Sequence, residues 1–334
     1  MRIIPVDMKT LLNQFSVIIC AYTEKRWEDL NEAVASLRVQ TMPPKEIILA
    51  IDHNPALFKR AVIQFPDLTV VENSQVRGLS GARNSGIGAT HGNVIAFMDE
   101  DAVASPEWIE LLDEGFSSPG VMGVGGAILP WWMTDQPGWF PEEFYWVIGC
   151  TYRGMPESTS PVRNLIGCNM AFRTEIFHKA GGFRSEIGRI GTYPTGCEET
   201  ELCIRARQIH TDGVFVYEPR AFVRHRVPES RTTWKYFTNR CYAEGLSKAL
   251  VSRMVGAQDG LASERTYTFK TLPRGVFRAI TNALFRQKWT DLGKAAAIVV
   301  GLLFTTAGYI IGRIKFIRQK TSLNPVNNYS LDQA

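Results

Sequence analysis

The sequence predicts an α/β fold with a mostly parallel central sheet flanked by helices. Two observations lead to this prediction. Over about the first hundred residues, short apolar runs typical of buried strands alternate with amphipathic helical segments. Polar residues follow these runs, and the most acidic group, Asp99 to Asp101, comes directly after Val94–Met98. Because ligands bind at the carboxyl ends of strands in open α/β sheets, we expect a ligand site there.

Four strands and three helices are expected in this first half. The strands are predicted at Phe15–Cys20, Glu46–Ile51, Leu68–Glu72 and Val94–Met98. The helices are predicted at Trp27–Gln40 and Ala56–Phe65, and after a glycine-rich turn within Gly78–Ala89. In the first helix Leu30, Val34 and Leu37 share one face, as in an amphipathic helix. Strands joined through helices imply parallel pairing with right-handed crossovers.

Three adjacent carboxylates, Asp99, Glu100 and Asp101, follow the fourth predicted strand. Burying one unpaired carboxylate is costly and three repel one another, which favours a bound cation. Alternation along the strand end places Asp99 and Asp101 on the same side, where they could hold a hard divalent ion against a phosphate. The alternative is an acidic turn before a helix that begins near Pro106, with Ser105 as its N-cap.

The composition is that of a globular protein with a basic end. The 334 residues are 45% hydrophobic and 21% charged, with a net charge of +4, and we expect no nucleic-acid partner. The six cysteines include no CxxC pair and no zinc spacing, which favours reduced thiols in the cytosol. The opening MRIIPVDMKTLLNQF lacks the long apolar core of a signal peptide, so we expect the bulk of the chain to stay in the cytosol.

Several segments together resemble the nucleotide-binding half of glycosyltransferase family 2, which has the GT-A fold. They are AYTEKR (Ala21–Arg26), Asp52, VENSQVRGLSGARNSGI (Val71–Ile87) and FMDEDA (Phe97–Ala102). The similarity continues through Asn164–Phe183 and Thr195–Ala206 and so covers about Phe15 to Gly245. It implies an inverting transferase that takes a sugar from a nucleotide-diphosphate donor, with UDP as the expected nucleotide, usually with a divalent metal.

The crevice residues can be given roles on chemical grounds. We expect Asp101 and Asp99 to hold Mg²⁺ or Mn²⁺ against the diphosphate, with His225 as a further ligand. Arg83 suits a nucleotide oxygen, and Asp52 a base N–H or a ribose hydroxyl, whereas Tyr22 could stack on the base. The residues predicted to bind the nucleotide sugar are Ala21, Tyr22, Glu24, Asp52, Arg83, Asp99, Gly167, Asn169 and Arg240. A surface ion pair for Arg83, an Asx turn for Asp52 and simple packing for Tyr22 are the alternatives.

A second acidic cluster, which includes Glu198 and Glu199, precedes a predicted helix. The helix dipole alone explains one or two carboxylates there. An inverting transfer also needs a carboxylate that deprotonates the acceptor hydroxyl. The family usually carries Glu-Asp at this place, and Glu199 stands where the Asp would be. We expect Glu199 to be the base and Glu198 to orient the acceptor.

The end of the chain is predicted to associate with a membrane. Leu272–Phe285 is amphipathic, and Ala295–Gly312 carries no charge and would span about 27 Å as a helix. Basic residues on both flanks fit an in-plane segment at least as well as a span, and place the enzyme on the cytoplasmic face near a glycan or lipid-linked acceptor. The predicted divisions are a catalytic domain, 1–245, with nucleotide-binding and acceptor halves at about 15–105 and 106–245, and a tail, 246–334.

Two other functions share some of these features. A nucleotidyltransferase would have the same kind of sheet and metal, but needs a glycine-rich loop with a lysine directly after the first strand, and Ala21–Arg26 contains no glycine. A catalytically inactive membrane scaffold would not need Asp99, Asp101 and Glu199. The sequence does not indicate an oligomeric state.

Overall fold

The first half of the chain forms a parallel sheet. The structure, a computed structural model, describes residues 13–189, 196–260 and 262–322. Its first strands are β1 (Phe15–Ala21), β2 (Glu46–Ile51), β3 (Thr69–Glu72) and β4 (Val94–Asp99). They pair in parallel in the order β3-β2-β1-β4. The intervening helices are α1 (Trp27–Arg38), α2 (Pro55–Gln64) and α3 (Leu79–Ile87). The predicted alternation of strands and helices is confirmed here.

The side chains of β1 show why helices cover both faces of this sheet. Val17 and Ile19 pack in one core cluster with Leu30 of α1. Ile18 lies on the other face, in a second cluster with Ala82 of α3. An uninterrupted apolar strand of this kind is stable only where both of its faces are buried.

The second half of the sheet is mixed. Its strands are β5 (Ala102–Ala104), β6 (Val121–Trp132), β7 (Ser160–Val162), β8 (Asn169–Arg173) and β9 (Val214–Val227). They continue the order as β4-β8-β6-β9-β5, and β7 also pairs with β9. The mostly parallel arrangement therefore holds for β1 to β4, whereas β8 runs antiparallel to both β4 and β6. This reversal brings the residues just before β8 next to the carboxyl end of β4.

Four helices accompany the second half: α4 (Trp108–Gly115), α5 (Thr174–Ala180), α6 (Glu198–Ile209) and α7 (Trp234–Val255). α7 contributes Phe237 and Cys241 to the main core. It also runs without interruption through position 245, where the sequence suggested the end of the catalytic domain. The catalytic core and the tail thus share one helix.

The tail folds back onto this shared helix. It comprises α8 (Ala257–Gly260), α9 (Ala262–Thr266), α10 (Leu272–Arg286) and α11 (Thr290–Ser322). A Cβ atom on Gly308 of α11 would lie 2.1 Å from the Tyr242 carbonyl oxygen, and one on Gly245 of α7 would lie 2.1 Å from that of Thr305. Only glycine therefore permits the two helices to cross at this distance.

The outer side of the tail is apolar. In α10, Phe277 and Phe285 are 71% and 83% exposed, and in α11 Leu303 is 62% exposed. Thr290–Lys315 is long and apolar enough to cross a membrane, and 33% of its most apolar window is buried in the protein. The predicted segment 295–312 lies inside it. α11 therefore presents one face to α7 and an apolar face outward.

Candidate active site

A cavity opens at the carboxyl ends of β1, β2 and β4, as expected for this type of sheet. Ala21, Tyr22, Asp52, Asp99 and Asp101 line it, which confirms that these predicted residues share one crevice. The first half also supplies Arg26 and Glu100 to the lining. The second half supplies Arg189, Pro228, Ser230, Arg231 and Tyr236.

Asp101 lies between two arginines and a histidine. The antiparallel pairing of β5 with β9 sets Ala102 opposite His225, which brings this imidazole to Asp101. The Asp101 carboxylate lies 3.3 Å from His225 Nε2, 3.1 Å from Arg26 Nη1 and 3.6 Å from Arg231 Nη2. Burial opposes ionisation of Asp101, but the three partners outweigh it and hold the pKa of this carboxyl well below its usual value.

Glu100 shares Arg26 with Asp101, at 2.8 Å from Nη1. Burial raises the pKa of Glu100 to about 7; Arg26 opposes the shift, and the neighbouring Asp101 and Asp99 add to it. The three carboxylates thus differ in environment, because Arg26 pairs with both Glu100 and Asp101, whereas Asp99 lies near Arg83.

Asp99 is the carboxylate most open to the cavity. Its ion pairing within the described residues is limited to Arg83, at 3.8 Å. Because β8 is antiparallel to β4, Cys168 also lies close, and single donor atoms of Asp99, Cys168 and His225 are within 4.8 Å of one another. With Asp101 they offer two carboxylates and an imidazole, a donor set that fits Mg²⁺ or Mn²⁺. Burial raises the pKa of the Cys168 thiol well above its usual value, so it is a poor ligand for such a hard ion.

Arg83 connects the two halves of the site. It is 2% exposed, and its Nη1 donates to Glu198 Oε1 at 2.7 Å while Nη2 donates to the Gly167 carbonyl at 3.1 Å. A Cβ atom on Gly167 would lie 2.8 Å from Nη2, so a larger residue there would displace the Arg83 guanidinium. Its guanidinium is directed at Glu198 and does not line the cavity, and its expected contact with a nucleotide oxygen stays a prediction.

The two glutamates begin α6 and differ in their partners. Glu198 is 4% exposed; one of its oxygens binds Arg83, and the other is buried without a hydrogen-bond partner in the described part of the chain. Glu199 is half-buried, and burial together with the Glu198 charge raises its pKa to about 8, against the opposing effect of Arg83. Neither residue lines the cavity itself. The Arg83 side chain lies between Glu198 and Asp99.

Asp52 holds the glycine-rich turn against the end of β2 through hydrogen bonds. Its carboxylate accepts hydrogen bonds from the Gly78 N–H at 3.0 Å and from Asn73 Nδ2 at 2.7 Å. Gly78 has φ = 129°, a conformation that favours glycine. Asp52 therefore shapes the cavity wall in addition to lining it. Tyr22 also lines the cavity, with the Arg26 guanidinium 5.7 Å from its ring centroid.

In addition to Arg83 and Gly167, three predicted nucleotide-sugar residues lie outside the cavity lining. Asn169 is fully buried: Trp108 Nε1 donates to its Oδ1 at 2.8 Å, and its Nδ2 donates to the Ala127 and Ala221 carbonyls. Its hydrogen bonds join β8 to β6 and β9, and its side chain does not face the cavity. Arg240 pairs with Glu244 at 2.8 Å, away from the cavity lining.

Glu24 is the third residue outside the cavity. It is exposed in a short 3-10 helix, Glu24–Arg26, whose first turn is capped by Thr23. Sequence reasoning missed the lining residues Arg26, Arg189, Arg231 and Tyr236. Arg26 lay within the AYTEKR segment and could have been found there, whereas Arg189 carries no local signal.

Comparisons with known proteins agree with this geometry. The model of glycosyl transferase family 2 matches residues 16–181. A glucosyl-dolichyl phosphate glucuronosyltransferase of Haloferax volcanii is 36% identical over 240 residues, which are 71% of this chain and 76% of that one.

Two solved structures share the fold. The mannosyltransferase PcManGT from Pyrobaculum calidifontis, in complex with GDP-Man and Mn²⁺, has a TM-score of 0.54 and 16% identity, over 89% of this chain and 88% of that one. GalNAc-T7 with UDP, GalNAc and Mn²⁺ has a TM-score of 0.50 and 18% identity, over 71% of this chain and 48% of that one. The fold, the crevice at the strand ends and the sequence matches lead to one conclusion: this chain belongs to glycosyl transferase family 2 and is a glycosyltransferase that uses a nucleotide sugar.

Proposed function

We propose that the enzyme transfers a sugar, with inversion, from a UDP-sugar to a lipid-linked acceptor at the membrane. The observation that carries this proposal is the chain Asp99–Arg83–Glu198, with 3.8 Å and 2.7 Å between its charged atoms. It joins a carboxylate that faces the cavity to the acidic start of α6. The proposed donor site at Asp99 and the proposed acceptor site at the start of α6 are thereby held at a fixed distance from each other.

On the donor side, Asp99, Asp101 and His225 would hold a divalent ion, Mg²⁺ or Mn²⁺. When bound, such an ion neutralises the negative charge that develops on the leaving diphosphate. The Mn²⁺ in the PcManGT complex supports this assignment. On the β1 and β2 side of the cavity, the Tyr22 ring is suited to stack on a base. The Asp52 oxygens are suited to accept hydrogen bonds from a ribose.

On the acceptor side, Glu199 is the proposed base. Its raised pKa gives it a strong affinity for the proton of an acceptor hydroxyl, once it is itself ionised. Glu198 cannot serve as well, because its ion pair with Arg83 at 2.7 Å fixes its position. Glu198 instead orients the acceptor and its neighbour, and attack assisted by Glu199 from the face opposite the diphosphate inverts the sugar carbon.

The acceptor is proposed to be a lipid phosphate carrying a sugar or able to receive one. The Haloferax volcanii relative supports this, since it is a glucosyl-dolichyl phosphate glucuronosyltransferase. The apolar outer side of α10 and α11 supports a position on the cytoplasmic face of the membrane. One face of α11 packs against α7 at Gly308. A helix that lies in the plane of the membrane therefore fits better than one that spans it. A reporter fused after Ala334 and found outside the cytoplasm would contradict this placement.

The test is sugar transfer by the full chain, in detergent micelles, from a panel of UDP-sugars and GDP-sugars to polyprenyl phosphate and polyprenyl-phosphate-linked sugars. We expect Asp101→Asn and Glu199→Gln each to lower the rate at least about a hundredfold. The matched control is Glu175→Gln, because Glu175 is an exposed glutamate of α5 outside the cavity. Equal activity of the Glu199→Gln and control variants would refute the assignment of the base.

A further inference from the structure

Arg189 lines the active-site cavity without an anionic partner. Within the described residues its guanidinium takes part in no ion pair and no side-chain hydrogen bond, in contrast to the other lining arginines, Arg26 and Arg231, which both lie near Asp101. The charges of Arg231 and Arg240 act against its own charge, and those of Tyr236 and Asp99 oppose them from beyond ion-pairing distance. A half-buried guanidinium in such surroundings is unfavourable unless an anion joins it.

The effect of these surroundings on its ionisation points the same way. Burial lowers the pKa of Arg189 from its usual value, and the charge of Arg231 lowers it further, with Tyr236 opposing. An arginine remains protonated even so. The lowered pKa therefore reports that its positive charge is poorly compensated in the protein alone.

The position of Arg189 is fixed by the glycine-rich turn. Its carbonyl accepts the Leu79 N–H at 3.0 Å, and the Ser80 hydroxyl donates to the Ile187 carbonyl at 2.7 Å. The backbone before and at Arg189 is thus tied to the start of α3, and the side chain lines the cavity together with Ser230, Arg231 and Tyr236. Two guanidinium groups and two hydroxyls offer more hydrogen-bond donors than the two oxygens of a carboxylate can accept, whereas a phosphoryl group presents up to three oxygens.

We infer that Arg189, with Arg231, Ser230 and Tyr236, forms a phosphate-binding subsite distinct from the metal site at Asp99 and Asp101. The inference rests on the proposed function for the identity of its ligand. The phosphate belongs either to the lipid acceptor or to the nucleotide donor, and both present the same oxygens to a guanidinium fork. The subsite lies in the part of the cavity lined by Arg189 and by residues just before and at the start of α7, the helix that also carries the tail.

Equilibrium binding tests this inference without any turnover. The full chain in detergent micelles is titrated calorimetrically with citronellyl phosphate and citronellol, with UDP and uridine, and with UDP-glucuronate and UDP-glucose. In the unaltered enzyme we expect at least one phosphate compound to bind more tightly than its phosphate-free partner. Arg189→Gln should reduce that preference about tenfold or more, and Arg189→Lys, which keeps the charge but loses the fork, should reduce it less. The matched control is Arg207→Gln, an exposed arginine of α6 outside the cavity.

The arms of the experiment identify the source of the phosphate. Loss of the citronellyl phosphate preference assigns the subsite to the acceptor, and loss of the UDP preference assigns it to the donor. The inference is overturned if both phosphate preferences survive Arg189→Gln, or if the unaltered enzyme shows no phosphate preference. It is also overturned if only the preference for UDP-glucuronate over UDP-glucose is lost, since the bound anion is then a carboxylate. An Arg189→Gln protein that does not fold leaves Arg189→Lys to decide by the same ratios. Absence of sugar transfer would refute the proposed function and leave these binding ratios unaffected.

Discussion

Replacing Arg83 by methionine should destabilise the enzyme strongly, because it leaves a buried carboxylate without its cation. Arg83 and Glu198 are 2% and 4% exposed and lie 2.7 Å apart, and the second Glu198 oxygen already lacks a partner among the described residues. Breaking a buried ion pair from one side costs about 3–5 kcal/mol. For a chain of this size that corresponds to a fall in Tm of roughly 4–7 °C.

The assay is thermal unfolding followed by circular dichroism, with a matched control. Arg38 forms an ion pair with Asp67 at 2.6 Å, but both side chains are exposed, so Arg38→Met should cost no more than about 1 kcal/mol. The double variant Arg83→Met/Glu198→Gln removes both charges and should recover part of the loss. An Arg83→Met protein as stable as Arg38→Met would refute the reasoning.

Three further predictions concern the base, the tail and the sheet. The rate of transfer should rise with pH to half its maximum near pH 8, because Glu199 must lose a proton held with a pKa of about 8; a profile that is flat from pH 6 to 9 would contradict this. Gly308→Leu should separate α11 from the Tyr242 backbone and make the tail sensitive to limited proteolysis, whereas Ala307→Leu, on the exposed side, should not; equal cleavage would exclude the helix crossing. Asn169→Ala removes three hydrogen bonds and should lower the free energy of unfolding by about 3 kcal/mol, measured by urea denaturation; a loss below about 1 kcal/mol would show that Asn169 is not structural.

The parts of the fold that follow from local pattern were predictable. β1 to β4 are short apolar runs between amphipathic helices, and their parallel order follows from the crossovers. Asp99 and Asp101 come at the end of such a run, so their place at the cavity needs no distant contact. The same holds for Asp52, the residue that follows β2.

Contacts between distant parts of the sequence were not predictable. Arg83 and Glu198 are 115 positions apart, and nothing near Arg83 in the sequence indicates this partner. Asn169 is buried because β8 pairs antiparallel with β4 and sets it opposite Met98, whereas a polar residue two positions after a glycine looks like a site residue in the sequence. Register in a mixed sheet depends on which strands meet, which periodicity does not specify.

The tail shows the same limit. The uncharged run of 295–312 predicts an apolar helix, and the structure contains it within α11. The helix on which it packs, α7, could not be identified from composition. Tyr242 and Gly245 give the matching surface on α7, and only the fold brings it to Gly308.

The central claim is that the carboxylates at the end of β4 bind the donor diphosphate through a divalent ion. The most direct measurement is the affinity of the full chain for UDP, by calorimetry, after exhaustive chelation and after addition of Mn²⁺, in the unaltered enzyme and in Asp99→Asn/Asp101→Asn. We predict that Mn²⁺ tightens UDP binding at least about tenfold in the unaltered enzyme and not in the double variant. Equal UDP affinity in the chelated and Mn²⁺-loaded enzyme would contradict the claim.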